Sequence, residues 1–372
     1  MIKNYLKMLA IGSLVLTSCS QDETLETSVE MNLTATANTE STNLDVLETP
    51  AFFTHNDFKF KISSLVEPTS CATTPFNDVI NASVSSNIDA LGAQYYDIYT
   101  QIAQLYTFID TDSQYFGADG EYTNYVNNRT RSLEKFWDMS NLITVRGQHN
   151  ATLNDRDKIA SVYLNFSTLT EAQAYGNADF FLAVNEASTF LNESPLLSFD
   201  GFASSADLIV IGDGLVQLAS EAGVEDKIVW SGILAHEWAH QIQFDNTAVW
   251  YPNGAADNAP EATRFTELEA DFFAAFYMTH KRGATFNWKR VEEFNKLFFN
   301  IGDCQFTSPG HHGTPAQRMR AAEAGYDFAQ SLQKNGKLLS ADEVHQSFLQ
   351  YLNTTILTAP INPPANNSQV RR

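Results

Sequence analysis

His236, Glu237 and His240 lie in the segment ILAHEWAHQ, residues 233–241. Two histidines four apart leave the same face of a helix about one turn from each other, so both imidazoles can converge on one metal ion. Glu237 follows the first histidine directly. That places a carboxylate near the metal without aiming it there, where a base could take a proton from a metal-activated water.

Such a site needs a third donor. The segment RFTELEADFFAAFY, residues 264–277, supplies Glu267 and Asp271, four apart and on one helical face. Glu267 is placed to reach the metal and Asp271 to reach the outer nitrogen of a ligating histidine, where a carboxylate fixes the tautomer. Glu269 points elsewhere on the same helix and stands as the alternative ligand. A third segment, GHHGTPAQR at residues 310–318, carries a histidine pair in a loop followed by a helix that begins near Pro315. An imidazole there can sit over the site and stabilise an oxyanion, and Arg318 can pair with a site carboxylate or a substrate carbonyl. Tyr251 and Tyr277 are weaker candidates for the oxyanion role, each better accounted for by ordinary packing.

HExxH followed by ExxxD on a later helix resembles the gluzincin metallopeptidases. With the histidine-pair segment included, residues 207–325 resemble the bacterial neutral zinc metallopeptidases and, more distantly, HtpX-like proteases. The resemblance implies a Zn2+ ion held by His236, His240 and Glu267, with Glu237 as the base. It also singles out His312 as the loop histidine at the site. The expected activity is hydrolysis of peptide bonds in a protein or peptide substrate by metal-activated water. The competing expectation is a non-catalytic envelope lipoprotein, a binding or scaffold module whose zinc site is vestigial or structural.

These residues must be positioned by a scaffold, and the pattern of apolar residues outlines one. Ile80 through Ile109 repeats at helical spacing, as one helix or two broken near Gly92, and further helical stretches fall around Arg131–Leu142 and Asp155–Ala174. FKFKI at residues 58–62 alternates as a short strand does. The aliphatic run Leu208–Ile211, closed by Gly212-Asp213-Gly214, reads as a strand and turn. Helices are expected over Leu215–Ala222 and Glu225–Phe244, and a capping box at Ser340–Glu343 opens one running to Leu352. The expected fold is α+β, mostly helical and zincin-like, with a small β-sheet over the active-site helix and Leu208–Ile211 as an edge strand. An extended peptide could add to such an edge.

The chain has 372 residues, 44 acidic against 23 basic, a net charge of -21, and 44% hydrophobic residues. A surface this acidic argues against nucleic acid as a partner, while the apolar content is enough for a sizeable core. The acidity is uneven. Residues 1–18 carry Lys3, Lys7 and an apolar run from Met8 to Leu16, which reads as a secretory signal too short to span a bilayer. Leu16-Thr17-Ser18-Cys19 resembles the lipobox of bacterial lipoproteins, which implies acylation of Cys19 and an N-terminal lipid anchor. The expected location is the cell envelope, on the outer membrane and facing the periplasm or the exterior. Residues 19–50, rich in acids and threonine, read as a disordered tether. The domain then divides into a helical part at 51–206, a zincin-like part at 207–358 and a tail at 359–372. Cys71 and Cys304 could form a disulfide or remain two thiols.

Overall fold

The structure, a computed structural model, describes residues 44, 46–48, 54–56, 75–85, 88–255, 259–301, 313–333 and 336–357. Cys19, the FKFKI segment, Cys71, Cys304, His311 and His312 lie outside the described residues. Strand β1 spans Thr54–Asn56, and helices α1, α2 and α3 span Pro75–Ser85, Ala90–Ile109 and Thr123–Trp137. After β2 (Thr144–Gln148) come α4 (Arg156–Phe166) and α5 (Glu171–Ala187), then β3 (Gly201–Ser204) and β4 (Leu208–Gly212). Helices α6 (Asp213–Glu221), α7 (Asp226–Trp250), α8 (Ala259–Thr279), α9 (Trp288–Ile301), α10 (Pro315–Leu332) and α11 (Ala341–Tyr351) complete the order. The fold is α+β and mostly helical, with one small sheet.

Local chemistry sets several boundaries that periodicity blurs. The first long apolar repeat is two helices, because Asp89 caps α2 by accepting from the Gly92 amide at 2.6 Å. Helix α3 stops at Trp137, earlier than the Arg131–Leu142 stretch suggests, since Asp138 is left-handed at φ 57° and ends the helix. The 155–174 stretch is also two helices. The Ser167 hydroxyl donates to the Tyr163 carbonyl, and a Thr170–Gln173 capping box starts α5. Leu44 and Leu47, at the end of the expected tether, pack against the core, and the Glu48 amide donates to the Phe166 carbonyl at 2.7 Å.

The sheet order is β1-β3-β4-β2, with β4 antiparallel to β3 and parallel to β2. This corrects the expectation that Leu208–Ile211 is an edge strand. β4 is hydrogen-bonded on both sides and buried along its whole length, so no peptide can add to it. An aliphatic run with no polar alternation belongs to a strand covered on both faces, the usual condition of an interior strand.

Helix α7 runs through the middle of the molecule. It packs against α3, α6, α8, α9, β3 and β4, and every residue from Ile228 to Gln243 is buried. A helix buried on every face takes such a central place. Gln241 ties it to the sheet, its amide donating to the Ser204 and Leu208 carbonyls at the β3–β4 turn at 3.0 and 2.9 Å. Helix α10 lies close along α8 at Gly325, where a Cβ would sit 2.3 Å from the Phe272 carbonyl oxygen. No helix among the described residues is long and apolar enough to cross a membrane.

Candidate metal centre

The centre forms where α7 and α8 face each other, closed by α10. Phe272, Phe273, Phe276 and Tyr277 on α8 are buried. Trp137 stacks on Phe273, the Phe136 ring meets Phe276 and Tyr277 edge-on, and Phe328 of α10 stacks on Phe272 and Phe276. This aromatic packing fixes the rotation of α8 and turns Glu267 and Asp271 towards the histidines of α7.

His236, His240 and Glu267 converge. The two Nε2 atoms are 3.1 Å apart, Glu267 Oε2 lies 3.5 Å from His236 Nε2, and Glu267 Oε1 lies 3.9 Å from His240 Nε2. The outer nitrogens are oriented by separate groups. His236 Nδ1 lies 3.2 Å from Asp271 Oδ1, and His240 Nδ1 lies 2.7 Å from Gln243 Oε1. With the ring protons assigned to Nδ1, facing these acceptors, both Nε2 atoms turn lone pairs inward beside a carboxylate. Two lone pairs at 3.1 Å repel unless a cation lies between them.

Charge leads to the same place. Glu267, Asp271 and the Arg318 guanidinium meet at the centre, and Glu237 is a further carboxylate on α7 beside His236, all at most 2% exposed. Counted as ionised, these three carboxylates and one guanidinium carry two net negative charges in the buried interior, an expensive arrangement that a divalent cation would neutralise. Two neutral imidazoles and a carboxylate form a donor set suited to zinc, whose ligand atoms, about 2.0–2.1 Å from a tetrahedral ion, lie roughly 3.3 Å apart. The residues present fit that ion.

Arg318 reaches the centre from α10. Thr314 and Gln317 form a capping box, and Pro315 occupies the first turn, so the helix starts one turn ahead of the arginine. Its Nε and Nη2 donate to both oxygens of Asp271 at 2.8 and 2.9 Å, and Nη2 lies 3.2 Å from Glu267 Oε2. Of the two pairings open to Arg318, the structure has the one with site carboxylates.

Glu269 does point elsewhere. It accepts from Gln243 Nε2 at 3.0 Å, from the Tyr251 hydroxyl and, at 2.5 Å, from His345 Nδ1. Those bonds occupy Tyr251, and the Tyr277 hydroxyl bonds Ser132 at 2.8 Å, so both tyrosines are engaged in packing rather than aimed at a substrate oxyanion. Burial and the nearby Glu269 charge push the Tyr251 phenol far above its ordinary pKa, and it remains a donor. Sequence reasoning missed Gln243 and His345. Gln243 lies one helical turn from His240, a spacing that brings side chains together and could have flagged it. His345 carries no such signal, being 76 residues from Glu269.

No protein-family model, curated protein or solved structure matches the chain.

Proposed function

We propose that the chain is a zinc-dependent peptidase with a zincin-like catalytic part, which hydrolyses peptide bonds of protein or peptide substrates in a bacterial cell envelope and is anchored there by a lipid on Cys19. The observation that carries this reading is the convergence of the His236 and His240 Nε2 atoms on Glu267, with Glu237 next to the first histidine on the same helix. When bound, zinc supplies Lewis acidity, which polarises a substrate carbonyl and acidifies a water. Glu237 would accept the proton of the attacking water on its carboxylate and pass it to the leaving amine, so one carboxylate would serve both halves of the reaction. Asp271 keeps His236 in the tautomer that presents Nε2, and Arg318 holds Asp271.

One observation favours a second reading, a non-catalytic envelope lipoprotein with a structural zinc site. The ligands and Glu237 are wholly buried, as structural sites commonly are. Two measurements decide between them. Zinc content of the purified chain should be one equivalent and should fall on His240→Ala. Glu237→Gln should keep the zinc and lose digestion of an unfolded protein substrate. Absence of zinc from the parent chain removes both readings, and full digestion by Glu237→Gln removes the mechanism.

A further inference from the structure

We propose that Gln243 and Glu269 are positioning residues for His240, the inner links of a hydrogen-bond chain that ties this metal ligand to the C-terminal helix α11. The inference rests on reading His240 as a ligand and extends it to residues that the peptidase motif does not contain.

The direction of every bond in the chain can be deduced. The Gln243 side-chain nitrogen lies 2.9 Å from the Thr266 carbonyl and 3.0 Å from Glu269 Oε2. Both partners only accept, so the amide group must face them and Oε1 must face His240. His240 Nδ1, 2.7 Å from that oxygen, is then the donor, and the lone pair is left on Nε2. Without Gln243, His240 could place its proton on Nε2, where it would occupy the position a cation needs.

Glu269 is in turn held from two sides. The Tyr251 hydroxyl donates to the oxygen that Gln243 uses, and His345 Nδ1 meets the other. His345 lies flat on Trp250, ring centroids 4.2 Å apart at 4°, and the Trp250 indole nitrogen donates to Asp342 at 2.6 Å. Asp342 and His345 both belong to α11, whose start is fixed by the Ser340–Glu343 capping box. The chain therefore crosses α7, α8 and α11. It leaves a buried carboxylate with a partner on each oxygen, the condition under which such a group is stable away from water. Asp271 and Arg318 do for His236 what Gln243 and Glu269 do for His240, so each histidine has its own anchor on a different later helix.

The test uses the full chain, Zn2+ with a competing chromogenic chelator, and long-range 1H–15N spectra of the histidine rings in the metal-free protein. The parent should show His240 with the proton on Nδ1. Gln243→Leu should mix the tautomers and weaken zinc binding by about 10- to 100-fold. Glu269→Gln should weaken it less. Gln243→Glu combined with Glu269→Gln exchanges acceptor and donor across the pair, gives His240 Nδ1 an acceptor again, and should recover affinity to within about threefold of the parent. Unchanged tautomer and affinity in folded Gln243→Leu and Glu269→Gln overturn the proposal. If Gln243→Leu does not fold, Glu269→Gln and the double exchange decide it by the same two readouts. A parent that binds no zinc while its His240 tautomer still depends on Gln243 overturns the peptidase reading and leaves the positioning role standing.

Discussion

Arg318 grips Asp271 with two parallel hydrogen bonds, 2.8 and 2.9 Å long, across 47 residues of sequence and wholly away from water. The pairing fixes a carboxylate that faces the outer nitrogen of His236. A planar fork suits this task better than a point charge, because it sets the angle of the carboxylate as well as its place.

Arg318→Ala should therefore cost about 3–5 kcal/mol, since it leaves a buried carboxylate without its counter-charge. Arg318→Lys should recover only part of this, because an ammonium cannot make the fork. Urea unfolding of the metal-free chain measures both. A loss below 1 kcal/mol for Arg318→Ala would contradict the buried pairing.

Gly325→Ala should push α10 away from α8, because the new Cβ would stand 2.3 Å from a backbone oxygen that cannot rotate aside. The expected cost is about 1–3 kcal/mol from overpacking, against a gain of under about 1 kcal/mol in helix propensity. The thermal midpoint should fall, and zinc affinity should fall with it as Arg318 shifts. A raised midpoint would show that the two helices can part without penalty.

His280 predicts a pH dependence. Burial holds its imidazole below the ordinary value of 6.5, and the neutral ring donates from Nε2 to the Lys337 carbonyl while Nδ1 accepts from the Arg282 amide. With a folded pKa below the unfolded one, protons bind the unfolded chain better. This contribution is full above the unfolded pKa and is lost as pH falls through 6.5 towards the folded value. Unfolding free energy should drop from pH 7 to pH 5 by less in His280→Gln than in the parent. Parallel pH curves would remove His280 as the source.

Asp89, the N-cap of α2, predicts an acid limit. Burial raises its pKa, but hydrogen bonds from the Gly92 amide, Ser188, and the Thr189 and Phe190 amides outweigh it, and the carboxyl stays below its usual range. Stability from this group is present above the unfolded pKa and disappears as pH falls through the lower folded one. Asp89→Ala removes the α2 cap and the link to the start of the 188–190 turn, at a cost of about 2–3 kcal/mol near neutral pH. Chemical denaturation at pH 7 and pH 3 should show the gap closing in acid. A gap that persists would assign the effect to packing.

What the sequence determined alone was whatever a single helix fixes by its own pitch. His236 with His240 and Glu267 with Asp271 share faces because 3.6 residues complete a turn, and the caps at Thr314 and Ser340 are set by neighbours three residues away. The tertiary structure decided every relationship between elements. Leu208–Ile211 is legible as a strand, but whether it lies inside the sheet or at its edge depends on β2 and β3, because side-chain patterning reports which faces are covered and not which edges are paired. Arg318 on Asp271, Gln243 on Glu269 and Glu269 on His345 bridge 47, 26 and 76 residues. Such pairs leave no periodic trace, since only the packing of α7, α8, α10 and α11 gives those side chains a common place.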